Sequence, residues 1–458
     1  MGWGGRLYLV NATPYTWTRT FQPDPREGDM NDWSLPEKVK PGDLATTYAE
    51  FRTATTRDWG RTQYSFGFHF PAFEVGINGS DRGTGDYYLH LLDVSALDNP
   101  RGTRITTPFV HNGSAFLFLG GSGANALGFV SSNPPGGDWM RLLLPSIGRL
   151  TLREVCLLEA HDAGMSLAEL GTRTSPVVTL ENVRTQTLDV GAQLRAGARY
   201  LDVRPVVSGG RYFTGHYSDT RSVLGWQGAN GESIDEIVRE VNQFTAEHAE
   251  LVVLDLSHAI DTDSGYGGFD QAQWDGLFAA LRDPETGLRG LFEAPDGTTD
   301  LTTLRMEEFI GGGSAAVVCV VQAGDHITIP EGRGAYRKRK FFPVNPPVAY
   351  SNTDRLDVMT ADQLRKMRLF KTRREDPMLE TSWTLTQVTP AEAAGLGPSI
   401  LRLASRARNE LFEKLWRFCE GESFPNIIEL DNIDATDYLA LALAITLWFG
   451  VREESKRR

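Results

Sequence analysis

The sequence predicts an N-terminal all-β sandwich followed by an irregular (β/α) TIM-type barrel. Three observations predict it. Short aromatic and β-branched runs, separated by Gly, Pro, Asn and Asp, fill roughly the first 140 of the 458 residues. Beyond them, apolar strand-like runs alternate with helical stretches to the C-terminus. Polar and ionisable residues directly follow those strand-like runs, at the ends where such barrels carry their active sites.

The sandwich strands are read from RLYLVNATPYTWTRTF at 6–21, ATTYAEFRTA at 45–54, TQYSFGFHF at 62–70, DYYLHLLDV at 86–94 and SAFLFLGG at 114–121. Their regular spacing is that of a sandwich. His69, His90 and His111 are scattered among them and read as structural. SSNPPGGDW at 131–139 is rich in turn formers and reads as a linker, with the break near 134–145. The expected domains are therefore 1–145 and 146–458.

The barrel strands are read from VCLLEA before His161, ARYLDVRP at 198–205, RYFTGH at 211–216, LVVLDLSH at 251–258, AAVVCVVQ at 315–322, SWTLTQV at 382–388 and NIIELD before Asn432. Helices are expected over 187–196, 233–248, 270–281, 360–374, 400–420 and 435–451. Ser233 with Glu236 makes a capping box at the second of them.

Composition removes several function classes. Lys and Arg number 46 against 59 Asp and Glu, a balance of −13, which argues against nonspecific nucleic-acid binding. The three cysteines form no CxxC, so neither a disulfide framework nor a zinc site is encoded. No targeting signal opens the chain, and Arg6 stands where a myristoylation motif wants Ser or Thr. The apolar run 438–451 is shorter than the roughly 18–20 residues of a membrane span and reads as a buried helix. The expected location is cytoplasmic or peripheral to a membrane.

The residues that end the strand-like runs are His161 with Asp162, Asp202 with Arg204, His216, His258, Gln322 and Asp431. Asp202 and Arg204 are two apart, so strand alternation puts both on one face. Two histidines suit a base and an acid near neutral pH.

These residues carry a resemblance. EAHDAG at 159–164, QTLDVGAQLRAGARYLDVRP at 186–205, FTGH at 213–216, LVVLDLSH at 251–258 and IIELDN at 427–432 are similar to the X-domain of phosphatidylinositol-specific phospholipase C. The likeness covers most of Leu150 to Gly450, in order. It implies attack of the inositol 2-hydroxyl on the adjacent phosphorus, with diacylglycerol leaving. By position His161 is the implied base, His216 the acid, and Asp431 the carboxylate that orients the base. Asp162 would couple to Arg204 and support the acid. Arg204 would stabilise the phosphate where eukaryotic signalling relatives use Ca²⁺, so the bacterial, metal-independent type is implied, with no metal or other cofactor. Barrels that hold Mg²⁺ through Glu-x-Asp are less similar, because Tyr200 stands two before Asp202.

Departures fall on the headgroup side. Ser257-His258 and Gln322 stand where bacterial relatives carry Lys and Arg. Asp202, His258, Gln322 and Tyr350 are the candidate substrate-binding residues. His258 and SNTDRLD at 351–357 resemble the X-domain-only branch. VNATPYTW and MNDWSLPEKVKPG resemble the β-domain of fungal phospholipase-C-like proteins, which assigns no role. RGAYRKRKFF at 333–342 reads as a solvated basic loop with two core aromatics, ahead of a lipid-inserting rim loop. The tail Lys456 to Arg458 reads as disordered. The expected partner is a phospholipid or inositol phosphodiester substrate, with peripheral membrane contact and no nucleic acid. Two other readings are a lipid-binding or toxin-like module with a weak or inactive barrel, and a Mg²⁺-dependent phosphodiesterase barrel.

Overall fold

A computed structural model of the chain describes residues 3–52, 57–67, 70–80, 84–121, 128–133, 135–220, 225–388 and 397–452. His69 and the tail at 456–458 lie outside them. The chain forms two compact units. One comprises Met1–Pro135, Arg408–Gly421 and Ala435–Arg458; the other comprises Gly136–Ala407 and Glu422–Asp434.

The first unit holds two sheets. One runs in the order Phe129–Ser131, Ser114–Gly121, Trp3–Ala12, Leu44–Phe51, Met30–Asp32. The other runs Lys38–Val39, Trp17–Phe21, Trp59–Ser65, Phe73–Gly79, Gly85–Leu91, Arg104–Pro108. Leu7, Leu9 and Leu117 of the first share one apolar core with Trp17, Tyr64, Phe73 and Leu89 of the second, the layering of a sandwich. The run 6–21 is two strands, one in each sheet. Asn11 makes the corner between them: its Nδ2 donates to the carbonyls of Tyr15 and Val39 at 2.7 and 2.9 Å.

Trp3–Ala12 is buried on both faces beyond its first turn of residues, because helices cover the five-stranded sheet. Phe116 packs on Phe412 with ring centroids 5.3 Å apart, and Trp416 Nε1 donates to the Gly42 carbonyl at 3.1 Å. The helix Thr436–Ile445 and its π-helical continuation Thr446–Val451 belong to the same layer, and Tyr438 to Ile445 are all buried. Among the described residues no helix is long and apolar enough to cross a membrane.

The second unit is built on an eight-stranded, all-parallel sheet in the order Ala335–Arg337, Ala316–Val321, Leu251–Leu256, Tyr200–Val203, Leu157–Ala160, Ile427–Leu430, Met378–Ser382, Val344–Asn345. The first strand in sequence pairs with both the second and the last, as in a TIM-type barrel. Between Ala335–Arg337 and Val344–Asn345 no pairing occurs among the described residues. The expected helices appear as Val190–Ala196, Ile234–Glu247, Gln271–Leu281, Leu356–Phe370 and Ile400–Phe418. Ser233 caps the second, with Ser233 N donating to Glu236 Oε2 at 2.9 Å.

Four expectations need correction. RYFTGH does not join the barrel sheet. It lies in Arg211–Asp219, the long strand of a separate five-stranded sheet, where both of its neighbours pair with it antiparallel rather than parallel. SWTLTQV contributes only Ser382 to a strand; the paired residues are Met378–Ser382. RGAYRKRKFF is no solvated loop: Ala335–Arg337 is a barrel strand followed by the short helix Lys338–Phe341, though Phe342 is core as expected. The second half of the expected linker is the helix Trp139–Ile147. Its first-turn amides, Met140 N and Arg141 N, donate to Glu250 at 3.1 and 2.8 Å. Glu250 is fully buried and paired with Arg199 at 2.7 Å.

Candidate active site

The barrel strands deliver their polar ends to one mouth. Leu157–Ala160 runs into His161, and Asp162 turns the chain sharply with φ 47°. Three bonds hold that turn. His161 N donates to the Leu430 carbonyl at 3.1 Å, Gln186 Nε2 to the His161 carbonyl at 2.9 Å, and Thr185 Oγ1 to the Asp162 carbonyl at 2.9 Å. Asp202 and Arg204 do share a face: Arg204 Nε donates to Asp202 Oδ2 at 2.9 Å.

Further bonds join His161, Asp162, Asp202, Arg204 and Asp431 into one network. His161 Nδ1 lies 2.7 Å from Asp431 Oδ1, and Asp431 is buried. Arg204 Nη2 lies 2.8 Å from His161 Nε2, and Arg204 Nη1 donates to Asp162 Oδ2 at 3.3 Å. Since a guanidinium only donates, Nε2 accepts and the Nδ1 proton goes to Asp431. His216 stands apart from this chain of bonds. Its Nδ1 lies 3.1 Å from the Val183 carbonyl, which leaves Nε2 without a hydrogen-bond partner among the described residues. Asp162 couples to Arg204, not to His216, and its Oδ1 is buried without a partner among the described residues.

Burial and charge oppose each other at each group. Burial lowers the proton affinity of His161, but the Asp431 carboxylate outweighs it and the pKa rises to about 9, against the pull of Arg204. Burial lowers His216 to about 4, helped by Arg204 and His161. Burial raises Asp162 to about 6 despite Arg204. Asp202 is likewise penalised by burial, yet Arg204 holds it well below the usual carboxylate range. Burial, then Arg204, lowers His258.

The candidate substrate-binding residues divide. His258 is exposed at the mouth, with Nδ1 2.8 Å from Ser257 Oγ. Gln322 is exposed and its Nε2 spans both oxygens of Asp255 at 3.1 and 3.2 Å. Tyr350 is 51% exposed.

Sequence reasoning missed Lys338. Its Nζ donates to Asp255 Oδ2 at 2.6 Å and lies 3.9 Å from Glu380 Oε2. Tyr200 Oη donates to the same Asp255 oxygen at 2.8 Å. The available signal was GAYR after a strand-like run, a short β segment hidden by the cations that follow it. Asp255 and Ser257 could have been read from alternation in LVVLDLSH. Glu159, Glu380 and Glu429 lie inside the same barrel, and burial raises all three. His161, Asp202 and Glu429 each bring one ligand-type atom within 4.8 Å of the others. Arg204 donates to the first two, so a metal ion there would have to displace it.

No protein-family model matches the chain, and no curated protein matches it. Among solved structures, the chain is similar to a mutant of the phosphatidylinositol-specific phospholipase C from Staphylococcus aureus, at 13% identity and TM-score 0.47, over 68% of this chain and 96% of that one. A second Staphylococcus aureus structure, concerned with membrane binding of that enzyme, matches at 15% identity and TM-score 0.48, over 68% and 97%. The phosphatidylinositol-specific phospholipase C from Listeria monocytogenes matches at 12% identity and TM-score 0.47, over 68% and 99%.

Proposed function

We propose that the protein is a metal-independent phosphodiesterase of the phosphatidylinositol-specific phospholipase C kind, cleaving a phospholipid headgroup at a membrane surface. The observation that carries this reading is His161, tied by Nδ1 to a buried carboxylate and by Nε2 to a guanidinium at the mouth of a parallel barrel. An anionic phosphodiester competes with Nε2 for Arg204. Once Arg204 turns to the phosphate oxygens, Nε2 is free to take a proton. Asp431 then stabilises the imidazolium that forms.

In the reaction, a headgroup hydroxyl gives its proton to His161 Nε2 and its oxygen bonds to phosphorus. The bond from phosphorus to the lipid oxygen breaks, and His216 protonates that oxygen. Arg204 offsets the negative charge that grows on the phosphate. Burial, helped by Arg204 and His161, holds His216 near 4, so the anionic phosphate is what would let it hold a proton at neutral pH.

Phosphorus NMR with phosphatidylinositol vesicles in EDTA tests this, with His161→Ala alongside. The expected product is a cyclic inositol phosphate that the variant does not release. The grouping of His161, Asp202 and Glu429 favours a second reading, a Mg²⁺-dependent barrel. Loss of turnover in EDTA, restored by Mg²⁺, would replace the first reading with that one. Vesicle binding without product from any headgroup would favour a lipid-binding module.

A further inference from the structure

Ser257 and His258 close the strand Leu251–Leu256 beside the proposed phosphate site. Ser257 is buried, and its Oγ lies 2.7 Å from Asp202 Oδ1 and 2.8 Å from His258 Nδ1. A hydroxyl has one proton to give. Asp202 is ionised under the influence of Arg204, so both its oxygens only accept. The Ser257 proton therefore goes to Asp202, and Ser257 Oγ accepts from His258 Nδ1–H. That fixes the ring: when neutral, His258 carries its lone pair on Nε2.

The other Asp202 oxygen is equally committed. Oδ2 accepts from Arg204 Nε at 2.9 Å and from Asp162 N at 3.1 Å, with Arg204 Nη2 at 2.8 Å. With Oδ1 tied to Ser257, the carboxylate plane is set, and the guanidinium plane with it. His258 makes this contact from a backbone at φ 47°, a region in which non-glycine residues are uncommon and His, Asn and Asp are the ones enriched.

We propose that Ser257 and His258 are positioning residues: the chain from His258 Nδ1–H through Ser257 Oγ–H to Asp202 aims Arg204 at the reacting phosphate. His258 thus works through Nδ1, not by touching the headgroup with Nε2. This rests on the reading of Arg204 as the phosphate ligand.

Asn separates the two roles of His258. Its amide nitrogen stands where Nδ1 does, it tolerates positive φ, and it has nothing at the place of Nε2. The test uses the full chain carrying Ser257→Ala, His258→Asn, His258→Ala or Ser257→Ala with His258→Ala. Turnover of phosphatidylinositol vesicles should fall about tenfold or more in Ser257→Ala and His258→Ala, the usual scale for a group that orients a working residue. His258→Asn should stay within about threefold of the parent, and the double variant should be no worse than Ser257→Ala, as for members of one unit. Equal damage from Asn and Ala, or multiplying effects in the double variant, would overturn the proposal. Nitrogen NMR of the His161 ring without substrate gives a readout that needs no turnover. In Ser257→Ala a loosened Arg204 should shift the Nε2 signal and raise the pKa of His161. An unchanged His161 ring in a folded Ser257→Ala overturns the positioning role, even if no diester is ever cleaved. Turnover absent from the parent, with the ring shifted in the variant, refutes the enzymatic reading and leaves the strut standing.

Discussion

Arg204 can donate to His161 only while Nε2 keeps its lone pair, whereas Asp431 draws a proton onto the same ring. The site is thus held between two states by two bonds of similar length, 2.7 and 2.8 Å. Asp431→Asn removes the charge and keeps the shape. The expected outcome is a His161 pKa moved down from about 9, followed by NMR titration, and turnover lower by about 10²–10⁴-fold. The two histidines also imprint opposite pH dependence on stability. His161, raised in the folded state, stabilises fully below about 6.5 and loses that contribution as pH rises through about 9. His216, lowered to about 4, stabilises above about 6.5; that contribution is lost as pH falls toward about 4, because the unfolded chain takes the proton first. Urea midpoints between pH 7 and pH 4 should fall less steeply in His216→Gln than in the parent. Equal slopes would mean that His216 is not held neutral by the fold.

The elements that bring these residues together were largely readable. LVVLDLSH, AAVVCVVQ and NIIELD are continuous apolar runs, which is how strands covered on both faces look. Ser233 and Glu236 marked a helix start that the structure keeps. Trp139–Ile147 was hidden because its N-terminus is satisfied by a distant group: Glu250 accepts its amides and also binds Arg199. Arg199 is fully buried and donates further to the carbonyls of Leu194, Gly136 and Gly137 at 2.7, 2.7 and 3.0 Å. Removing one partner would leave the other charge buried. Glu250→Gln should therefore cost about 3–5 kcal/mol in urea unfolding. A loss under about 1 kcal/mol would show that water reaches Arg199 instead.

Across the whole molecule, chain order and compactness part company. The unit that starts with the sandwich strands also takes Arg408–Gly421 and Ala435–Arg458. Tyr8 and Phe116 are register partners on the face those helices cover, and Phe412 stacks on Phe116. A domain ending at residue 145 is a proposal that a fragment can test. Residues 1–145 expressed alone would leave that face bare, and such apolar faces drive association. The fragment is expected to bind a hydrophobic dye and aggregate. When residues 408–458 are supplied as well, dye binding should fall. A monomeric, dye-free 1–145 would establish that the two sheets suffice.

Local pattern determined a great deal by itself. The change from turn-punctuated β runs to alternating strands and helices marked the β-rich and barrel regions, and strand alternation put Asp202 beside Arg204. The residues ending Leu157–Ala160, Tyr200–Val203 and Ile427–Leu430 could be named because a parallel barrel sends every strand end to one mouth. Tertiary structure alone decided the rest. His161 meets Asp431 across 270 positions only because the first and last strands pair. Lys338 enters the mouth because Ala335–Arg337 pairs with Ala316–Val321, and His216 sits on a separate sheet, in a strand whose two neighbours pair with it antiparallel. Periodicity reports which way a side chain faces within a few residues of chain. Which nitrogen carries a proton, and which carboxylate holds which cation, depend on groups that only the closed fold brings within about 3 Å.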